Sequence, residues 1–278
     1  MNFNKFIKAV GTGPRGNRDL SFTESEEMMT QILKEEVHPE LISAFLLGWR
    51  MKPETIEEFQ GALSALDSFC LHSEVKNSIE LGYPFDGKAK NPYLLPLIGK
   101  ILTETDLQLV VLGDKLQPAK YGVTTKELCT TTKLTSNIHF FDRNMYSPSL
   151  HKLTDLRIRL ALRSGINTIE KLPNISKSEF AITGVHHKPY VAKYNAIFSS
   201  RYKRFALIQG NEGTPELFKK GTLWISEEGE TTEYDVDPAD YGIISQEDLS
   251  GLAKLNAAIF LFVCKKFITI EEAFKSLS

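Results

Sequence analysis

LQLVVLGD (Leu107–Asp114) decides the fold class. Its apolar run, rich in branched side chains and closed by Gly113-Asp114, reads as a buried strand, and Thr124 with Glu127 is placed to cap a following helix. Phe180–Val185 and Phe205–Ile208 read as further strands, separated by an amphipathic helix beginning near Pro189. Leu223–Ser226 and Thr231–Val236 flank Glu228-Gly229, a hairpin signal. A last helix runs from about Gln246 through NAAIFLFV. Strands alternating with helices beyond Tyr83 predict an α/β domain. Upstream the pattern is helical. Thr23 with Glu26 forms a capping pair ahead of Met28, Met29, Ile32 and Leu33; Pro39 opens a helix with Leu41, Ile42, Phe45, Leu46 and Trp49; Thr55 with Glu58 opens another.

The chain has 278 residues, 42% of them hydrophobic and 24% charged, enough to bury a substantial core. A net charge of -2 excludes a globally basic protein, so any polyanion site must come from local segregation of charge. Cys70, Cys129 and Cys264 are too few and too scattered for a zinc quartet or a disulfide framework. They read as inert buried thiols. With no apolar amino-terminal run and no membrane-length segment, the expected location is cytoplasmic, with no membrane partner.

LGYPFDGKAKNPYLLP (Leu81–Pro96) lacks the consecutive glycines with which a loop closes its N–H groups on pyrophosphate. Asp86-Gly87 is followed by Lys88, Ala89 and Lys90. Gly11, Gly13 and Gly16 match a GxGxxG spacing but follow a helix rather than a strand, so they read as a helix end and turn. Arg15 and Arg18 still put positive charge there, available to a phosphate.

Charge is segregated along the second half. Arg157, Arg159, Arg163, Lys193, Arg201, Lys203 and Arg204 belong to a basic run, whereas Glu212 to Asp248 is dominated by carboxylates. Such a run predicts a nucleic-acid face that reads phosphates rather than bases. Tyr190, Tyr194 and Tyr202 are candidates to stack on single-stranded bases, although packing at a surface edge is the commoner role of such tyrosines. His186-His187 reads as structural, because neighbours on a strand face opposite ways.

Several segments, in order, resemble the anthranilate phosphoribosyltransferases: the helical stretch from NFNKFIKAVGTG to FQGALSAL, then ITGVHHKPYVAKYNAIF, FALIQGNEGTPELF and YDVDPADYGI. GTGPRGNRDL, ELGYPFDGKAK and LRIRLALRSGINTIEKL look closer to the YbiB-like branch of that superfamily, described as dimeric nucleic-acid binders. The resemblance implies a nucleoside-phosphorylase-like fold, with a helical domain over 1–75, completed by helices from about 150–175, and an α/β domain over 76–278. It places Pro84–Ala89 where the enzymes carry a GTGGDG loop, Val111–Asp114 at a Lys-His-Gly-Asn element, and Pro215-Glu216 at a magnesium-binding Asp-Glu pair. Arg157 matches an arginine that the enzymes use for the anthranilate carboxylate.

The expectation is a non-catalytic, weakly sequence-dependent binder of DNA or RNA without a cofactor. It is expected to be a homodimer through the amino-terminal helices, with Phe45 and Trp49 at the seam. The alternative is a phosphoribosyltransferase that holds phosphoribosyl pyrophosphate on Asp86, Gly87, Lys88 and Lys90, with magnesium on Glu212 and Glu216.

Overall fold

The computed structural model describes residues 2–186 and 188–277. Four helices come first: α1 (Asn4–Gly11), α2 (Phe22–Leu33), α3 (Pro39–Met51) and α4 (Ile56–Ser68). Then follow β1 (Ser78–Gly82), α5 (Leu95–Ile101), β2 (Gln108–Gly113), α6 (Thr125–Thr131) and β3 (Ile138–Asp142). The chain returns to the helical layer through α7 (Arg143–Tyr146), α8 (Pro148–Lys152), α9 (Thr154–Leu160) and α10 (Ile166–Ile169). It finishes with β4 (Phe180–Gly184), α11 (Pro189–Phe198), β5 (Arg204–Ile208), β6 (Gly221–Glu227), β7 (Glu230–Val236), α12 (Leu249–Val263) and α13 (Ile270–Ser276).

Among the described residues the strands form a seven-stranded sheet in the order β3-β2-β1-β4-β5-β6-β7, parallel from β3 to β5 and antiparallel beyond. The chain moves one way from β1 to β2 and β3, then back to β4 on the other flank. The carboxyl ends of β1 and β4 are therefore a topological switch point, where diverging loops leave a crevice. Glu228 and Gly229 take φ of 50° and 86°, the left-handed pair that a two-residue hairpin needs.

Two apolar cores cover the sheet. One is continuous from Phe6, Phe45 and Trp49 in the helical layer, through Leu150, Leu156, Ile166 and Leu172, to Val110, Ala181 and Phe205 on the sheet. The other lies under α5, α12 and α13. β1 was hidden from pattern reading by Glu80 in its centre. That carboxyl accepts from the Tyr202 hydroxyl at 3.0 Å and the Asn174 amide at 3.3 Å, and burial pushes it up to about 7 against those bonds and Arg201.

The helix starts largely follow their caps. Thr55 and Glu58 form a reciprocal capping box and Thr124 accepts from Glu127 N, but α2 is capped by Ser21 with Glu24, two residues before the expected pair. Ser21 wins because it is extended while Thr23 is already helical. Phe45 and Trp49 are fully buried within the chain, with ring centroids 5.6 Å apart, and cannot form a subunit seam. The exposed apolar side chains of α3 are Leu47 and Met51, on its other face.

Glu58 ties the helical layer together. Its buried carboxylate accepts from Leu20 N at 2.8 Å, Trp49 Nε1 at 3.0 Å, Thr55 N at 2.9 Å and Lys52 Nζ. Replacing Glu58 by Ala leaves these donors unpaired and is expected to cost about 3–5 kcal/mol, against about 1 kcal/mol for Thr55→Ala. Urea midpoints of the two variants check that ranking.

Candidate functional site

A cleft of about 350 Å³ opens at the switch point between the helical layer and the sheet. Pro84, Phe85 and Asp86 follow β1; Gly184 ends β4, and Val185 and His186 follow it; Glu212 and Gly213 follow β5; Arg50, Glu54 and Phe59 come from α3, its exit and α4. Ser164, Asn167, Thr168 and Lys171 come from the returning helices, and Tyr190, Lys193 and Tyr194 from the start of α11. Pro189 at the first turn of α11 sets its direction at this mouth.

The anion-binding features around this cleft are met from within. Asp86, buried, takes Arg163 on one oxygen and lies 3.2 Å from Lys120 on the other. The backbone N–H groups of Ala89, Lys90 and Asn91 converge on the Glu212 carboxylate at 2.8, 3.1 and 3.3 Å. Burial opposes ionisation of Glu212, but those three donors and Lys120 outweigh it and hold the carboxyl below its ordinary range. Glu216 accepts from Tyr83 Oη at 2.9 Å and from Leu94 N and Leu95 N, and pairs with the buried Lys88 ammonium. Gly87 has φ 76°, and a Cβ there would meet Gly122 O at 2.7 Å, so the turn requires glycine.

Beneath the cleft lies a buried ion network. Arg143 binds Asp114 and Glu170, Arg157 binds Glu170 at 2.6 and 2.8 Å, and Asp114 also accepts from His151 Nδ1 at 2.7 Å. Arg143 stacks 4.5 Å from the ring of Phe85, which lines the cleft.

Several sequence expectations are corrected by this geometry. Arg157 is buried with both terminal nitrogens on Glu170, so it can touch neither a polyanion nor a small carboxylate. Arg201 is clamped by Asp67 at 2.6 and 2.7 Å and by Pro173 O. Arg204 enters β5 opposite Glu227 and binds it at 3.0 Å, and Lys203 pairs with Glu179. These last residues sit at the amino-terminal end of β5, the end away from the cleft. The basic and acidic runs partly neutralise each other across the β5–β6 ladder, so the linear run does not become one face. Arg159 projects to solvent outside the cleft, while Arg163 and Lys193 line it.

The buried Lys88 ammonium is taken up by Glu216 and by Pro92 O at 2.8 Å, and Lys90 is exposed. Arg15 is exposed in the turn after α1, Arg18 pairs with Glu24 at 2.6 Å, and neither lines the cleft. Gly11 ends α1 as expected. The oxygens of Glu212 and Glu216, the alternative magnesium pair, already face N–H, O–H and ammonium donors of the protein itself. His186 lines the cleft, and His187 lies outside the described residues. Tyr202 is buried on Glu80, not exposed for stacking. Burial pushes the Cys70 and Cys129 thiols up to about 12, which makes them poor nucleophiles.

Sequence reading missed Arg50, Lys120 and Ser164 as cleft residues. Lys120 stands in a loop without a motif, and its partners Asp86 and Glu212 are remote in sequence.

Residues 4–70 match the helical bundle domain of the glycosyl transferase family. An uncharacterised protein of Aquifex aeolicus is 28% identical over 234 residues, covering 84% of this chain and 75% of that one. An anthranilate phosphoribosyltransferase of Saccharolobus islandicus is 23% identical, covering 99% of this chain and 90% of the relative. The anthranilate phosphoribosyltransferase of Thermus thermophilus superposes with a TM-score of 0.73 at 14% identity, over 98% of this chain and 92% of that one. The fold is that of anthranilate phosphoribosyltransferase. The Saccharomyces cerevisiae enzyme of that name, in complex with PRPP and Mg, superposes equally well, with a TM-score of 0.73 at 13% identity over 99% and 92% of the two chains. Among the described residues no helix is long and apolar enough to cross a membrane.

Within this anthranilate phosphoribosyltransferase fold, Glu170 carries the buried network. Burial opposes its charge, but Arg157 and Arg143 overcome that and hold its carboxyl below the ordinary value of 4.5. A depressed carboxyl stabilises the fold above its unfolded pKa, and the contribution is lost as pH falls through the lower folded value. Glu170→Gln is therefore expected to cost about 3–5 kcal/mol at pH 7, with the gap from wild type narrowing below about pH 4.5. Denaturant melts across that window read it out.

Proposed function

We propose that this chain is a non-catalytic protein that binds single-stranded nucleic acid through the interdomain cleft of an anthranilate phosphoribosyltransferase-like scaffold. The observation that carries the reading is Glu212 seated on the backbone donors of Ala89–Asn91. It supports loss of transfer chemistry, because electrostatic stabilisation of a leaving pyrophosphate needs donors free to meet it. Glu170 supports the same conclusion by occupying Arg157.

The rest of the cleft supports nucleic acid. Its described lining has five Lys and Arg side chains against three carboxylates, and Tyr190 meets Tyr194 edge-to-face at the rim, 6.4 Å apart. Lys171 stands 5.4 Å from the Tyr194 ring centroid, and Lys193 4.6 Å from that of Phe59. Burial lowers the Lys193 pKa from its ordinary value, with Glu54 opposing. Aromatic faces interleaved with cations suit bases and phosphates of a single strand, and so small a cleft suits a nucleotide better than a duplex.

A second reading, phosphoribosyl transfer, is favoured by similarity over nearly the whole chain to named enzymes. Turnover of phosphoribosyl pyrophosphate with anthranilate and magnesium overturns the non-catalytic reading. Anisotropy with labelled oligonucleotides tests the binding: affinity should fall with salt at about 0.7 in log units per phosphate contact on single strands. Lys171→Glu with Lys193→Glu should weaken every sequence alike by tenfold or more and flatten that slope. A folded double variant with unchanged affinity excludes the cleft as the site.

We also propose a homodimer, with its seam moved to the outer face of α3. Leu47 and Met51 lie one helical turn apart and are 46% and 74% exposed. Wild type should run as a dimer in light scattering at micromolar concentration, and Leu47→Glu with Met51→Glu as a monomer.

A further inference from the structure

Residues 170–179 cross from α10 to β4, and Lys171 of the cleft lies on this crossing. Polar contacts bind its middle to the sheet. Asn174, at φ 51°, donates from its side chain to Ser178 O at 3.3 Å and to Arg201 O at 3.1 Å, and Pro173 O accepts from Arg201 at 2.8 Å. At the centre is Glu80 of β1, wholly enclosed, whose Oε1 accepts from Asn174 N at 3.3 Å and whose Oε2 accepts from Tyr202 Oη at 3.0 Å.

Tyr202 Oη also lies 3.4 Å from Leu172 O, a buried carbonyl that no other donor meets among the described residues. A hydroxyl carries one proton, so it can bond well to only one of the two acceptors. An ionised Glu80 takes that proton as the stronger acceptor and leaves Leu172 O bare. A protonated Glu80 has a hydrogen of its own. It donates to Tyr202 Oη, the hydroxyl turns its proton to Leu172 O, and every group is paired. A buried carbonyl left unpaired costs free energy, so the two protonation states hold the crossing with different strength.

We propose that Glu80, Tyr202 and Leu172 O form a proton-operated latch: protonated, it holds the crossing against the sheet, and ionised, it lets the crossing go. The latch acts whatever ligand the cleft takes, because Lys171, on its lining, is the residue before Leu172. The surroundings allow both states. Burial pushes the Glu80 carboxyl up to about 7, against Tyr202, Arg201 and the Asn174 amide. Arg201 acts at a distance, with both terminal nitrogens held by Asp67. Asp67 of α4 itself raises the carboxyl further, and Cys70 is kept neutral by its own burial. Val110 of β2 and Ala181 of β4, beside Glu80 in the sheet, add no charge. As pH rises through about 7 the folded protein gives up the proton and the latch opens. An unfolded carboxyl ionises near its ordinary 4.5, so this group's contribution to stability falls with rising pH between those two values.

Carbon NMR of the full chain, with carbonyl-labelled leucine and side-chain-labelled glutamate, reads both ends of the latch. The Glu80 carboxyl and the Leu172 carbonyl should titrate together, with one midpoint near 7. In Glu80→Gln, whose amide keeps a hydrogen to give Tyr202, the Leu172 signal should stay at its wild-type low-pH position throughout. In Tyr202→Phe it should stay at the high-pH position, and Glu80 should titrate higher for want of a donor. Amide protection over residues 166–171, corrected for intrinsic exchange, should fall about threefold between about pH 6 and about pH 8 in wild type and stay constant in Glu80→Gln. Either a Leu172 carbonyl that keeps one shift across that window or protection that does not change in wild type overturns the proposal, whether or not the variants fold. A Leu172 titration that survives unchanged in a folded Glu80→Gln overturns it too, since another group then carries the proton.

Discussion

A guanidinium or a carboxylate buried without a partner costs several kcal/mol, and that penalty shapes the junction between helical layer and sheet. Arg143 and Arg157 are both fully enclosed, and Asp114 and Glu170 meet them there. Asp114 follows β2, Arg143 follows β3, and Glu170 follows α10, so the network pins three excursions of the chain to one another. Phe85 rests on Arg143, and through it the floor of the cleft inherits the same fixed geometry.

One layer above, the pattern recurs with a different emphasis. Asp86, Glu212 and Glu216 answer Arg163, Lys120, Lys88 and a row of backbone donors. A scaffold shared with enzymes that handle anionic substrates here holds its own anions in place. Fold similarity alone says nothing about which ligand a site accepts. Among the cleft cations, Lys171 and Lys193 are packed beside aromatic rings, and the Lys193 ammonium also donates to Glu54 O at 2.8 Å.

Much of the fold was legible because its strands and helices carry their signals locally. LQLVVL, Phe180–Val185 and the Glu228-Gly229 turn each bear their own pattern, and Thr55 with Glu58 marks a helix start by chemistry between neighbours. β1 escaped because Glu80 breaks an apolar run whose polar centre is satisfied from Tyr202, 122 residues away. The site was less legible for the same reason. Asp86 and Gly87 stood out as a loop signature, but nothing near Glu212 announces that its partners are the amides of residues 89–91. Arg157 and Arg201 looked like surface charge, since a one-dimensional run cannot show which cations face inward to Glu170 and Asp67.

The return of the chain to its helical layer also has a consequence for synthesis. α1 to α4 emerge first, yet Leu150, Leu156, Ile166 and Leu172, which complete their apolar core, belong to a segment translated much later. At about 5–20 residues per second on the ribosome, the unfinished layer stays uncovered for several seconds. Its apolar faces are open to chaperones in that interval, and a nascent chain stalled before β3 presents a sticky half-core rather than a finished module.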